Sequence, residues 1–238
     1  MELTNVLFID IETVSQYPDF SALEDRWKAL FERKIRFFQE KDPDKSLDQL
    51  YQEKAAIYAE FGKIVCIGLG FFNKEQLRIK TISGHDEEEI LNEFFSLISQ
   101  HFKNPDKHTI CGHNIREFDV PYICRRASIH GLQLPSILNL SNKKPWEVKF
   151  LVDTLEMWKF GDMKNYISLD LLSACLGLDG SKGDMDGSQV GKVYYEEGDL
   201  KRIATYCAQD VWVTCNVFLR MNLIPAVSFE EVHFADYK

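Results

Sequence analysis

Three short stretches of this 238-residue chain carry side chains whose types and spacing could do chemistry. Asp10 and Glu12 stand two apart after the apolar run Val6-Leu7-Phe8-Ile9. At the end of a strand, period-2 geometry puts both carboxylates on the same side of the sheet. Two like charges at the edge of a core are costly unless a cation sits between them. The plainer alternative is a strand-to-loop transition with solvated acids. Asn114 and Asp119 come next, in Gly112-His113-Asn114-Ile115-Arg116-Glu117-Phe118-Asp119, where a strand gives way to a helix. Asp119 then falls in the first helical turn, with Phe118 free to anchor that turn in the core. An Asp there can also cap orphan N–H groups and needs no substrate to do so. Tyr206 and Asp210 are one helical turn apart and share a row, as many surface pairs do. Taken together and in this order, the three pieces are far more specific than any one of them.

The order Asp-x-Glu, Asn-x3-Phe-Asp and Tyr-x3-Asp resembles the three exonuclease motifs of the DEDDy group of 3′→5′ exonucleases. More closely, the chain looks like a stand-alone relative of the proofreading exonuclease domain of family B DNA polymerases, with no polymerase domain expected to follow. The histidine variant of the superfamily would place a His five residues before the last Asp. That position is Thr205, while Tyr206 occupies the tyrosine slot. The resemblance implies an α/β, ribonuclease-H-like fold: a mixed five-stranded sheet flanked by helices. It also implies two divalent ions, Mg²⁺ or Mn²⁺, for which carboxylate oxygens are suitably hard ligands. Two such ions roughly 3.5–4 Å apart can stabilise both the attacking and the leaving oxygen at phosphorus. By similarity, Asp10 would bridge the two ions, Glu12 and Asp210 would complete the nucleophile-side position, and Asp119 would hold the second ion through water. Tyr206 would orient the attacking water, since a phenol pKa of about 10 makes it a poor base. Asn114 would support the scissile nucleotide, and Phe118, Ile11, Thr13, Lys164 and Asn165 would also contact substrate. The implied reaction releases nucleoside 5′-monophosphates from a 3′ end, single-stranded DNA first and RNA as the alternative, because the motifs do not read the sugar. A rival of another class is a non-catalytic module that docks on a repair or replication complex; a module of that kind has no reason to keep five converging polar groups.

These residues need elements to position them. Residues 3–9 read as a buried strand, and 63–72, with the core Ile64-Val65-Cys66-Ile67-Gly68-Leu69-Gly70-Phe71-Phe72, as a second. Residues 76–82 alternate like a half-exposed strand, joined to the second by a hairpin around Asn73-Lys74-Glu75. An amphipathic helix follows over 86–102, with Ile90, Phe94, Leu97, Ile98 and Phe102 on one face. Glu87, Glu88 and Glu89 fall in its first turn, where the helix dipole favours negative charge. Further strands are expected over 108–113 and 147–153. Helices are expected from about 117 to 130, with Pro121 tolerable in the first turn, over 168–176, and from about 197 to 222. In the last helix Ile203, Cys207, Val211, Cys215 and Phe218 form the buried stripe. Residues 15–62 read as a helical insertion, with one apolar row at Leu23, Trp27, Phe31 and Phe38 and another at Leu47, Leu50, Tyr51, Tyr58 and Phe61. Leaving directly from the catalytic strand, it could wall the substrate cleft with Arg26, Lys28, Arg33, Lys34 and Arg36, or only cover the sheet. One domain over 1–238 is expected.

Composition sets the remaining bounds. With 45% hydrophobic and 27% charged residues, neither disorder nor a fibrous fold is indicated. No apolar run spans a membrane or forms a signal peptide, so a cytoplasmic protein is expected. The six cysteines lack a C-x-x-C pair and read as reduced core residues. A net charge of −9 argues against non-specific coating of nucleic acid; a hydrolase loaded with cations is locally neutral and escapes that objection. The loop around Asp184-Met185-Asp186-Gly187 fails as a calcium site, because Lys182 and Val193 would fall at ligand positions; Ser188 and Gln189 could still brush substrate. Asp153 reads as a cap with an outer-shell role as the alternative, Lys143, Lys144, Arg125 and Arg126 as possible phosphate contacts, and His113 as a packing residue.

Overall fold

Alternating apolar residues on both faces make the first strand the centre of the sheet. The computed structural model describes residues 2–180 and 185–235. Strand β1 (Val6–Ser15) does not stop at Ile9 as expected, and Leu3–Asn5 form a 3-10 turn instead of its beginning. The extension has a physical cause: Ile11 and Val14 still have core to bury in, and the long β2 (Gly62–Asn73) pairs antiparallel along β1 from Leu7↔Phe71 to Ser15↔Gly62. A register shift falls between Glu12 and Thr13. Asp10 and Glu12 are therefore inside a paired strand, next to a bulge, rather than at a strand end.

The helical insertion supplies α1 (Asp25–Lys41) and α2 (Leu47–Lys54), the latter opened by a Ser46–Gln49 capping box. Then come β2, a turn at Lys74 and Glu75, β3 (Gln76–Ser83), and α3 (Glu87–His101), whose Asp86 caps Glu88 and Glu89. Strand β4 (Thr109–Gly112), α4 (Asp119–Ile129) and β5 (Leu151–Asp153) follow. Next are α5 (Thr154–Lys159), for which the sequence pattern predicts no helix, α6 (Leu169–Cys175), the short α7 (Val190–Lys192) and α8 (Leu200–Met221). A sixth strand, β6 (His233–Phe234), corrects the expected five: it adds parallel to β3 and closes that edge. The sheet order is β5-β4-β1-β2-β3-β6, with β1 parallel to β4 and antiparallel to β2. Among the described residues no helix is long and apolar enough to cross a membrane.

Each sheet face has its own core. Leu7, Ile9 and Ile11 pack with α3 and α4 residues such as Phe94, Ile98 and Ile123. Val6 and Phe8, on the other face, pack with Val211, Cys215 and Phe218 of α8. Asp10 and Glu12 continue this second row by strand alternation. The insertion has a core of its own, in which Phe31, Ile35, Leu50 and Tyr51 are buried. Trp27 departs from the expected row: it is 42% exposed, with an edge-on contact to Phe61 at 5.8 Å.

Two expectations are corrected by the packing. Arg126 is not a phosphate contact. It is buried, and its Nε donates to both Glu87 oxygens at 2.9 and 3.0 Å while Nη1 donates to Ala59 O at 2.9 Å. Glu87 is more than helix punctuation: it also accepts from Ile64 N and faces His130 Nε2 at 2.7 Å. This network ties α3, α4, β2 and the end of the insertion together. Lys182 and Asp184 lie outside the described residues; Asp186 caps Ser188 and its N–H meets Gln189 Oε1.

Candidate active site

Four carboxylates and a phenol converge on the α8 face of β1. Strand alternation presents Asp10 and Glu12 there, half-buried and buried respectively. Directly across on β2, Asp10 pairs with Gly68 and Phe8 with Gly70. A Cβ at Gly68 would lie 2.7 Å from Val211 Cγ2 and 2.8 Å from Cys207 Sγ, and one at Gly70 2.7 Å from Val211 Cγ1. Glycine at these two positions lets α8 descend onto the sheet. That close approach brings Tyr206 and Asp210 to the acids of β1. Glu12 pairs with Cys66 on the same face, and Cys207 Sγ lies 3.5 Å from Asp10 Oδ2.

Asp119 arrives from the other direction. It is the first residue of α4 and is 3% exposed. Its Oδ1 accepts from Ile11 N at 3.1 Å, so the strand between the two acids is stitched to the third. The cap position of α4 falls to Phe118, with no side-chain cap hydrogen bond, so the Asp119 carboxylate is turned to the strand and not to the helix end. The loop before it is set by Asp153, which is buried and accepts from Asn114 N at 2.9 Å, Arg116 N at 3.1 Å and Leu155 N at 3.0 Å. Asp153 is thus the cap of α5 and the clamp of the loop between β4 and α4. Asn114 sits in the left-handed region at φ 60°, where Asn is among the better-tolerated residues. Its Oδ1 is buried without a hydrogen-bond partner among the described residues.

Electrostatics follow from this packing. Burial holds Asp10 and Glu12 well above the usual carboxylate range, and Asp119 and Asp210 push Asp10 further. For Glu12 the next causes after burial are Asp10 and Asp210. Asp119 is pushed up to about 7 by burial, against the stabilising N–H groups. Tyr206 is also raised, by burial first and then by Asp210, with which it shares a hydrogen bond, and by Glu12. The leading charged influences on Asp10 and Glu12 are other acids and thiols, with no Lys or Arg among them. An oxygen-rich acid set with no Lys or Arg among these leading influences fits hard divalent cations.

The residues expected to contact substrate are placed unequally. Phe118 is half-buried, packed against Tyr122 at 5.4 Å, with part of its ring open. The Ile11 side chain is buried in the opposite core, and its N–H donates to Asp119. The Thr13 hydroxyl donates to Ala56 O at 2.9 Å and so meets the insertion. Lys164 and Asn165 are exposed, in a segment where Phe160, Met163 and Tyr166 are 87%, 84% and 70% exposed. His113 anchors that segment: Nε2–H donates to Ile167 O at 3.0 Å, which leaves Nδ1 to accept from the Thr154 hydroxyl at 2.9 Å. Burial holds its pKa below the usual value, in keeping with this neutral form. Lys143 and Lys144 lie over the Phe150 and Trp146 rings, and Arg125 is exposed. Cys207 and the two strand glycines are site residues that the motifs do not announce. The period-2 spacing of Gly68 and Gly70 within an apolar strand is the available signal for a close helix.

A family model described as a predicted 3′-5′ exonuclease related to the exonuclease domain of PolB matches residues 56–236. Its span begins after Asp10 and Glu12. Among solved structures, the family B DNA polymerase from the hyperthermophilic archaeon Pyrobaculum calidifontis is similar, with a TM-score of 0.59 at 17% identity over 92% of this chain and 24% of that one. At this identity the likeness is one of fold, the mixed α/β, ribonuclease-H-like fold of an exonuclease domain. This chain spans about a quarter of that polymerase's length. No curated protein sequence matches it.

Proposed function

The chain belongs to the family of predicted 3′-5′ exonucleases related to the exonuclease domain of PolB, and from that premise we propose that it is a DEDDy-type, two-metal hydrolase of single-stranded DNA 3′ ends. The observation that carries this reading is the convergence of Asp10, Glu12, Asp119 and Asp210 in one desolvated site whose leading charged influences are acids. Asp10, Glu12, Asp119 and Asp210 would hold the two ions, Mg²⁺ or Mn²⁺. Bound there, the ions supply Lewis acidity toward the phosphoryl oxygens and a charge match for the attacking and leaving oxygens.

The protein's own groups do the rest. The Tyr206 phenol keeps its proton and shares a hydrogen bond with Asp210. Its oxygen can accept from a water and fix that water's direction of attack in line with the leaving 3′ oxygen. Ile11 N–H and the α4 N-terminus hold Asp119 still. Asp153 fixes the loop that carries Asn114, which would support the terminal nucleotide. Phe118 and the exposed Phe160, Met163 and Tyr166, with Lys164 among them, offer faces for unstacked bases and a cation for the backbone. That apolar, base-sized display supports an unpaired strand over a duplex. Water adds to phosphorus, the 3′ oxygen leaves and takes up a proton, and a nucleoside 5′-monophosphate separates. The six free cysteines support a reducing compartment such as the cytoplasm.

Matched 5′-labelled oligonucleotides of DNA and RNA, single-stranded and duplex, test the reading with Mg²⁺ or Mn²⁺ present. A ladder shortened one nucleotide at a time from the 3′ end, fastest on single-stranded DNA, is expected. Faster trimming of RNA would move the substrate assignment to RNA; binding without any cleavage would favour a docking module.

A further inference from the structure

Two thiols share the acid site, and the proposed function gives them no work. Cys207 is fully buried, its Sγ 3.5 Å from Asp10 Oδ2 and 3.6 Å from Asp10 O. Asp10, Glu12 and Cys207 each bring one potential ligand atom, and these three atoms lie within 4.8 Å of one another. Cys66 is also fully buried, pairs across the sheet from Glu12, and hydrogen-bonds to Cys207. Soft sulfur donors favour thiophilic ions over Mg²⁺, whereas carboxylates alone favour hard ones. We propose that Cys207 is a metal ligand of this site, so that the centre is a mixed oxygen–sulfur one that captures Zn²⁺ or Cd²⁺ through Cys207, Asp10 and Glu12.

The inference rests on the divalent-metal reading above and adds to it the fifth donor. Binding replaces a proton: the Cys207 S–H bond breaks, a sulfur–metal bond forms, and the proton leaves to the buffer. The position matters, because the thiol already lies beside the Asp10 carboxylate, with its sulfur and one oxygen of each acid gathered within 4.8 Å. An ion held by Cys207 occupies the carboxylates that the hard ions need. The same geometry therefore implies that Zn²⁺ and Cd²⁺ inhibit Mn²⁺-supported hydrolysis by competition.

The test is a Cd²⁺ titration of the metal-free full chain, with Cys124 and Cys175 changed to Ser so that the less buried thiols do not report. A thiol-free reductant is present, and sulfur-to-cadmium charge-transfer absorption is recorded in the ultraviolet. A band saturating at one ion per chain is expected. Cys207→Ser should abolish it, and Asp10→Asn should weaken the Cd²⁺ affinity by about tenfold or more, since it takes the negative charge from a ligand oxygen and even outer-shell changes at a metal site cost that much. Absence of the band, or its survival in Cys207→Ser, overturns the proposal. If Cys207→Ser does not fold, Asp10→Asn decides: undiminished Cd²⁺ affinity there would mean that the sulfur site is not the acid site. A Mn²⁺ isotherm on the unaltered chain separates the two readings. No Mn²⁺ binding would remove the exonuclease mechanism itself, whereas Mn²⁺ binding without a Cd²⁺ band would remove only the sulfur ligand.

Discussion

Burial and the neighbouring charges of Asp210 and Glu12 all oppose ionisation of Tyr206. What the phenol offers is a directed O–H and an acceptor oxygen, not a base. Replacing it by Phe should lower kcat by roughly 100-fold with little change in KM, since a group that orients the attacking water acts mainly in the transition state. A matching rise in KM would point to substrate binding instead. Burial opposes ionisation of the acids as well. Asp119, pushed up to about 7, binds a proton in the folded state that the unfolded chain has already released above about pH 4. Its contribution to stability is therefore complete below about pH 4 and is lost as pH rises through about 7, at about 1.4 kcal/mol per pH unit for each such proton. Melting of the metal-free protein should fall across that window, and added Mn²⁺ should raise the melting temperature more at about pH 8 than at about pH 5. A pH-independent Mn²⁺ effect would contradict it. At this scale the sequence is largely readable: spacings of two and four place Asp10 with Glu12 and Tyr206 with Asp210, whatever the details of the fold. The Cys207 contact is not, because a thiol in an apolar stripe looks the same whether or not a carboxylate lies across from it.

Elements position these residues through one close approach. Helix α8 rests on β2 where Gly68 and Gly70 leave no side chains, and a methyl at Gly68 would collide with Val211 and Cys207. Gly68→Ala should lift α8, cost about 1–3 kcal/mol, and reduce catalysis by more than the diminished amount of folded protein explains. Chemical denaturation together with kcat, corrected for the folded fraction, checks this. Unaltered kcat would show that the helix position is not set by these glycines. Element boundaries are less legible than the residues. The expected stop at Ile9 fails because the polar residues at 10, 12 and 13 look like a strand end, while β2 pairs with β1 as far as Ser15. Helix α5 escapes notice because six residues carry too little periodicity, and β6 because two residues carry none. The Glu87–Arg126 pair joins residues 39 apart in the chain, an interaction that no local pattern can announce.

At the scale of the molecule, an acidic chain of net charge −9 must still receive a polyanion. Its insertion offers Arg26, Arg33, Lys34 and Arg36 exposed along α1, with Lys28 half-buried and Lys34 also over the Tyr58 ring at 4.7 Å. Thr13 and Tyr122 both donate to Ala56 O, so the insertion is joined to the acid-bearing strand and to α4. Neutralising those five cations should raise the oligonucleotide KM and flatten its salt dependence, by about one unit of slope for each phosphate no longer engaged. An unchanged KM and slope would make the insertion only a cover for the sheet. The ribonuclease-H-like architecture is legible only through the family resemblance that the motif order carries, since the order of acids by itself does not say which strands and helices meet. The most direct test of the whole account is mononucleotide release from a 3′-labelled oligonucleotide by the unaltered chain, Asp10→Ala and Asp210→Ala. Release that requires Mg²⁺ or Mn²⁺ and falls by roughly a thousandfold or more in each variant is the expected result; full activity in either variant would contradict the account.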